Sequence, residues 1–371
     1  MTILFLTVDY PDSKSTNFTF VKQLVDEIAS QGHTCIVVSP FSIVNKRRIH
    51  PYYTQNLIGN GRVILIRPNI LTFSNIHIGS FYLSDFFHRL AIRQALRKLK
   101  LSPDVVYCHF WELGEEGVRY ANKHGIKCFV ASGESVIPEF SSHYIEQMRK
   151  YVAGVICVSS KNRDESINAG LATLEKCVVI PNAVNSTLFR LMDKEECRRI
   201  LGVKPEAFVI SYVGWFDERK GIKRVEKALS TVDDKDPIYS IFIGSGTMQP
   251  KITNVIFKGK LMHEEIPVYL NASDVFVLPT LKEGCCNAVV EAMSCGLPVI
   301  SSNLSFNWDV LDSSNSIMID PTNIDEIRDA ILELKHNIKR REQLQKGALN
   351  KAKNLTIENR AKAIIQFIQE S

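Results

Sequence analysis

The sequence predicts an α/β protein made of two Rossmann-like, doubly wound halves. Three observations carry this. Short Val/Ile-rich runs alternate with helical segments through both halves, the β-α-β rhythm of a parallel sheet. The series halts at a Pro-Asn turn within residues 178–190 (VVIPNAVNSTLF) and then starts afresh. A length of 371 residues, 45% of them hydrophobic, suits two domains and supplies apolar side chains for two cores.

In the first half, TILFLTV is strand-like from Thr2. Residues 17–31 have helical spacing, with Phe20, Leu24 and Ile28 on one face, and Gly32-His33 closes that helix. TCIVVSP, RVILIRP, PDVVYCHF, KCFVAS and GVICVSS follow as strands, with helical segments between several of them. The second half repeats the pattern through FVISYVGWF, YSIFIGSG, VIFKG, DVFVLPT, PVISS and SIMID. The segment after Gly246 is short, as if one helix is reduced. The last segment, IENRAKAIIQFIQE, is amphipathic and is expected to pack back toward the first half. The expected domains are therefore 1–185, 186–355 and a C-terminal helix over 356–371.

Composition narrows the function. No apolar run reaches the 18 residues that a membrane span needs. MTILFLTVDY opens as a strand without the basic n-region of a signal peptide, so a cytoplasmic location is expected. Nine scattered cysteines, including the vicinal Cys285-Cys286, read as reduced thiols with no zinc site. The first 185 residues carry 20 basic and 15 acidic side chains, so the whole net charge of +5 lies there. That is too mild for a nucleic-acid binder but suits an anionic surface or acceptor.

Residues 86–101 (FFHRLAIRQALRKLKL) hold five Lys/Arg and no acids, with Ile92, Leu96 and Leu99 on one face. Such a helix can lie on an anionic membrane, with Asn45-Lys-Arg-Arg48, Tyr52 and Tyr53 as a second patch. The alternative is an ordinary surface helix packed on the sheet. The chain has no GxGxxG, Walker A, HExxH or GxSxG pattern, which disfavours dinucleotide enzymes, NTPases, zincins and serine hydrolases. It also has no DxD near the first-half loops, so no metal is expected.

Ligands of open α/β sheets lie beyond the C-terminal strand ends. Three second-half loops qualify: Gly214–Gly221, Gly244-Ser-Gly246 and Glu283–Asn287. The first contains Arg219-Lys220-Gly221, two cations that could neutralise a diphosphate; the alternative is a solvated turn. Glu283 and Glu291 flank the start of a helix, whose free amides suit an anionic ligand such as a nucleotide sugar. On one helix the two carboxylates would stand about 12 Å apart, at 1.5 Å per residue. A retaining glycosidase needs about 5–5.5 Å. The pair is thus better placed to grip two ends of an elongated ligand, unless Glu291 is simply a buried glutamate paired with a cation.

These segments together resemble a retaining glycosyltransferase of family 4. The likeness runs through PDVVYCH, VICVSS, IPNAVNSTLF, YVGWFDERKG, IFIGSG, ASDVFVLPTLKEGCCNAVVEAMSCGLPVI and MIDPTN, and the EGxxNxxxEAMxCGxPV block is its most specific part. The resemblance implies a GT-B fold, two Rossmann-like domains facing across a cleft. It implies a nucleotide-sugar donor held by the C-terminal domain, UDP preferred over GDP, and an acceptor held by the N-terminal one. It also implies retention without metal or cofactor, and a lipid-linked glycan acceptor in bacterial surface polysaccharide synthesis.

Carried over by residue, Glu283 would hold the donor sugar hydroxyls, helped by the amides of Gly284, Cys285 and Cys286 beside Asn287. Glu291 would accept from the ribose, and Lys220 would neutralise the diphosphate. The chain departs from the family at three places. Trp215 follows Gly214 where an arginine is frequent, which leaves Arg219 as the second cation. The first loop reads Lys14-Ser-Thr-Asn17 in place of Gly-Gly. Ser132-Gly133-Glu134 replaces a His-Gly, so Glu134 and His109 become the candidates for activating the acceptor. A catalytically weak or inactive nucleotide-sugar-binding scaffold is the alternative function.

Overall fold

In the computed structural model, residues 1–11, 18–42, 51–71, 77–78, 81–232 and 237–371 are described. They form two compact units. Unit 1 comprises Met1–Val158, Asn162–Ile180 and Arg360–Ser371; unit 2 comprises Ser159–Lys161 and Pro181–Asn359. The chain therefore enters unit 2 at Pro181 and leaves it at Asn359, a few residues from the expected limits of 185 and 355.

Unit 1 holds strands β1 (Thr2–Leu6), β2 (Thr34–Val38), β3 (Phe41–Ser42), β4 (Tyr53–Ile58), β5 (Gly61–Ile66), β6 (Asn69–Ile70), β7 (His77–Ile78), β8 (Phe81–Tyr82), β9 (Val105–His109), β10 (Lys127–Ser132), β11 (Val152–Cys157) and β12 (Cys177–Val179). Its main sheet runs β12-β11-β10-β9-β1-β2-β5-β4. All its pairings are parallel except β4 with β5, an antiparallel hairpin at the edge. β1 lies between β2 and β9, so the strand order reverses at β1/β9. Fully buried β-branched and leucine side chains fill the strands, including Leu4, Ile36 and Val106.

Helix α1 (Thr19–Ser30) buries Val21, Leu24, Val25, Ile28 and Ala29. Phe20, expected on that face, is only half-buried and faces His109 instead, ring centroids 5.5 Å apart. Helix α2 (Leu83–Arg97) buries Ile92 and Leu96 in the core that also holds Leu4, Ile36 and Val106, to which α1 contributes no side chain among the described residues. The apolar face that a membrane would need is therefore already covered by protein. Two of its cations are also engaged. Arg93 donates twice to Glu116, which is 1% exposed, and Arg89 pairs with Glu115 at 3.2 Å, both acids on α3 (Gly114–His124). Arg97, Lys98 and Lys100 point outward. The Asn45–Arg48 patch lies outside the described residues.

After α4 (Ser142–Tyr151) and α5 (Ser160–Asn168), unit 2 begins. It contains α6 (Lys194–Leu201), β13 (Phe208–Val213), α7 (Ile222–Leu229), β14 (Ile238–Ile243), β15 (Val255–Gly259), α8 (Ile266–Asn271), β16 (Val275–Leu278), α9 (Asn287–Ser294), β17 (Val299–Ser302), β18 (Ser316–Ile319), α10 (Ile324–His336) and α11 (Ile338–Ala352). Its sheet is wholly parallel in the order β15-β14-β13-β16-β17-β18, a doubly wound arrangement whose switch point is β13/β16. Among the described residues no helix separates β14 from β15. Asp274, 7% exposed, ties the start of the sheet together by accepting from Arg198 and from the Val209 amide, at 2.8 and 2.7 Å. The last helix, α12 (Ile357–Glu370), sets Phe367 against Phe129 of unit 1, ring centroids 5.9 Å apart. No helix among the described residues is long and apolar enough to cross a membrane.

Candidate active site

The two loops that leave β13 and β16 meet at the switch point of unit 2. Backbone bonds lock them together: the Leu281 amide donates to Arg219 O at 2.8 Å, and Arg224 Nη2 donates to Pro279 O at 3.0 Å. Gly221 makes the approach feasible. Its φ is +80°, and a Cβ there would stand 2.5 Å from Pro279 O. The amide of Lys220 donates to Asp217 Oδ1 at 2.7 Å, which fixes where the lysine side chain starts.

This closure brings both predicted cations onto one atom of the predicted Glu283. Glu283 Oε1 accepts from Lys220 Nζ at 2.6 Å, Arg219 Nη1 at 2.7 Å and Thr280 Oγ1 at 2.9 Å. All three described donors converge on Oε1, which leaves Oε2 to meet a ligand. Arg219 also donates to Lys282 O at 2.9 Å, so it is held by the loop as well as by the carboxylate. Burial alone would lower the Lys220 pKa, but the charge of Glu283 and the bond to it hold it above its ordinary value. The ammonium therefore stays protonated beyond its ordinary range. Gly214 lies against this lysine: a Cβ on it would meet Lys220 Cδ at 3.5 Å.

The second half of the motif falls differently from the simple helix estimate. Helix α9 begins at Asn287, because Cys286 is extended with φ −80° and ψ 112°. Glu283 and Glu291 therefore do not share a helix, and the 12 Å separation along one does not apply. Gly284, Cys285 and Cys286 form the buried turn between them. The Ala288 and Val289 amides point at the Cys286 sulfur, which also lies 3.8 Å from Lys220 Nζ. Burial pushes the Cys286 thiol up, so it remains a thiol. Asn182 Nδ2 donates to Cys285 O at 2.8 Å and braces the turn from the segment that enters unit 2. Asn287 Oδ1 is buried and has no hydrogen-bond partner among the described residues.

One residue here escaped the sequence reading. His263, in the loop after β15, sits 2.9 Å from Glu291 Oε1 through Nε2 and has the Phe189 ring 4.9 Å away. Burial would lower its pKa, but the bond and charge of Glu291 raise it above the ordinary histidine value. Nothing in the sequence joins two residues 28 positions apart; only the adjacency of strand-end loops hints at it.

Unit 1 presents other chemistry at its own switch point. His109 ends β9 and is 5% exposed, with Phe20 and Phe110 against it. Burial, and then the charge of Arg360, drive its pKa down to about 3. A base that weak is poorly matched to proton abstraction near neutral pH. Glu134 accepts from the Trp111 and Gly133 amides, both at 2.9 Å, and from Ser132 Oγ at 3.3 Å. Burial raises its pKa against those bonds. Its visible work is to pin the loops after β9 and β10 together. Asn17 lies outside the described residues.

Comparison with known proteins identifies the family and the fold. The family model for Glycosyltransferase Family 4 matches residues 18–188, and that for Glycosyl transferases group 1 matches residues 193–351. A putative teichuronic acid biosynthesis glycosyltransferase, TuaC of Bacillus subtilis, is 24% identical over 359 residues, covering 91% of this chain and 90% of that one. The UDP-Gal:alpha-D-GlcNAc-diphosphoundecaprenol alpha-1,3-galactosyltransferase of Escherichia coli is 26% identical over 277 residues, covering 68% and 71%. Sucrose-phosphate synthase from Thermosynechococcus elongatus superposes with a TM-score of 0.79 at 18% identity, over 100% of this chain and 98% of that one. Anabaena HepE in complex with UDP gives 0.77 at 15% identity, over the whole of both chains. The two-unit fold is GT-B.

Proposed function

The chain belongs to the glycosyltransferases of group 1 and family 4, and we propose that it moves a hexosyl or N-acetylhexosaminyl group from a UDP-sugar to a lipid-linked glycan, with retention at the anomeric carbon and without a metal. The observation that carries this reading is the convergence of Lys220 and Arg219 on Glu283 at the switch point of unit 2. The Escherichia coli relative is named for a UDP-galactose donor and a diphosphoundecaprenol-linked acceptor, and the Bacillus subtilis relative for teichuronic acid biosynthesis. Both names favour bacterial surface polysaccharide synthesis.

As the bond between sugar and phosphate breaks, negative charge grows on the departing diphosphate. Lys220 is a preplaced cation that stabilises this charge most in the transition state. Glu283 Oε2 accepts from the donor sugar hydroxyls and sets the ring beside the lysine. Glu291 accepts from the ribose hydroxyls. The acceptor O–H adds to the anomeric carbon on the face the phosphate leaves, and its proton passes to the departing phosphate oxygen. No protein nucleophile is needed, and Glu283 Oε1 is already occupied by three donors.

Lys220→Ala or Glu283→Gln should each lower turnover at least about 100-fold, the scale for losing one preorganised transition-state contact. Near-wild-type rates in either variant would refute its role. UDP- and GDP-sugars are compared by thermal shift, since only a true donor stabilises strongly. Chelation with EDTA should leave the rate unchanged, and NMR of the product reports the anomeric configuration. Any membrane contact through 86–101 rests on the outward Arg97, Lys98 and Lys100. Flotation with anionic vesicles after changing these three to Glu tests it, and unchanged binding would sink it.

A further inference from the structure

Trp215 is 54% exposed, yet the backbone around it is tied down by hydrogen bonds. Tyr212 Oη donates to Trp215 O at 2.7 Å, and the amide of the buried Phe216 donates to Ser245 O at 2.8 Å. The neighbouring turn is pressed against it. A Cβ on Gly244 would stand 1.9 Å from Gly214 O, and one on Gly246 would stand 2.3 Å from Phe216 O. The exposed indole has a partner. Lys260, the residue after β15, places Nζ 5.9 Å from the centroid of the Trp215 ring.

The two side chains come from β13 and β15, the strands on either side of β14. Between those strands the turn after β14 packs Gly244 against Gly214 and Gly246 against the backbone of Phe216. Gly214, one residue before the tryptophan, is the residue against which Lys220 lies. The tryptophan thus follows directly on the residue that walls the Lys220 side chain.

Charge gives this arrangement a task. Lys220, Arg219 and Glu283 together carry only one net positive charge, and Arg219 is held by Glu283 Oε1 and Lys282 O. A departing nucleoside diphosphate bears about three negative charges, since its terminal phosphate is close to doubly ionised at neutral pH. One net positive charge compensates little of that.

We propose that Lys260, held in place by the Trp215 ring, is a second cation of the diphosphate subsite, in the role that the arginine common at position 215 would otherwise fill. The aromatic face restricts a long, mobile side chain to the side where the phosphate charge develops. The proposal rests on the donor reading above, and its test separates the two.

UDP, UMP, GDP and GMP are titrated into the full chain by calorimetry at fixed salt, for the wild type, Lys220→Ala, Lys260→Gln, Lys260→Arg and Trp215→Leu. Lys260→Gln should weaken binding of the preferred diphosphate about tenfold and of its monophosphate no more than about twofold, the worth of one charge-assisted contact. Lys260→Arg should restore most of the loss, and Trp215→Leu should fall between. Lys260 and the Trp215 ring are exposed, so the variants are expected to fold, and circular dichroism checks that they do. If Lys260→Gln binds the diphosphate like the wild type, or weakens diphosphate and monophosphate equally, while Lys220→Ala loses the diphosphate, the role of Lys260 falls and the donor reading stands. If no diphosphate binds the wild type, or Lys220→Ala binds it unchanged, the donor reading itself falls.

Discussion

The two units share a doubly wound strand order and differ in what they place at its reversal. Unit 2 sets Lys220, Arg219 and Glu283 there, locked by bonds of 2.6–2.7 Å. Unit 1 sets an aromatic group there: Phe20, Phe110 and a histidine held neutral. Tyr107 Oη, His109 Nδ1 and Trp111 Nε1 are all buried nearby and lack a described partner. The same frame has thus been given opposite electrostatics. Among the described residues, the reversal in unit 2 carries a charged cluster, whereas that in unit 1 carries aromatic rings with the charge of Arg360 acting on His109. The fold locates both sites, but side chains alone decide what each can hold.

Removing the charge of unit 2 should have the largest effect. Lys220→Ala, expected to lower turnover at least about 100-fold, also leaves Glu283 with one cation fewer. A double-mutant cycle with Glu283→Gln separates two origins. If the lysine acts on the phosphate and the carboxylate on the sugar, the losses should add. If the lysine serves mainly to position the carboxylate, the double variant should be no worse than the worse single one. A Lys220→Ala enzyme with near-wild-type turnover would erase the contrast between the units.

Much of this site was legible because its parts follow strands. Val/Ile runs mark β13 and β16, and in a doubly wound sheet their trailing loops are neighbours, so Lys220 and Glu283 could be placed together without coordinates. The start of α9 was not legible, since the extended backbone of Cys286 arises from the turn in which it is buried. His263 with Glu291 and Lys260 with Trp215 were invisible for a related reason: each pairs side chains from separate loops. The amphipathic stretch at 86–101 shows another limit. Apolar spacing marks a face to be covered but not its cover, and here the cover is the core of unit 1.

Acid should separate the units next. His109 has a folded pKa of about 3 against about 6.5 for an unfolded histidine. The unfolded chain therefore takes up a proton that the native state refuses. Stability is complete above about pH 6.5 and is lost as the pH falls, by about 2 kcal/mol at pH 5 from this one group. His109→Phe should flatten that acid limb and keep turnover within about twofold, since it removes neither a charge nor a catalytic contact. Urea unfolding between pH 5 and pH 7.5 measures the first effect. A wild-type acid limb in the variant would show that the histidine is not the neutral group the fold implies.

The smallest effect has the opposite sign and belongs to unit 2. His263 is raised above the ordinary histidine value by Glu291, despite the opposing effect of burial. Its contribution is fully present below about pH 6.5 and fades as the pH rises through the higher folded value. His263→Gln keeps a donor for Glu291 but loses the charge. It should therefore flatten the alkaline side of the stability profile, where His109→Phe flattens the acid side. If Glu291 holds the ribose, the variant should also raise the donor KM about three- to tenfold with little change in kcat, because a misaligned acceptor weakens ground-state binding. In the wild type that KM should climb over the pH range in which the histidine loses its proton. A KM that is flat with pH and unchanged by His263→Gln would leave the histidine as a purely structural partner of Glu291. The two histidines would then still differ in environment, but only Lys220, Arg219 and Glu283 would distinguish the units in function.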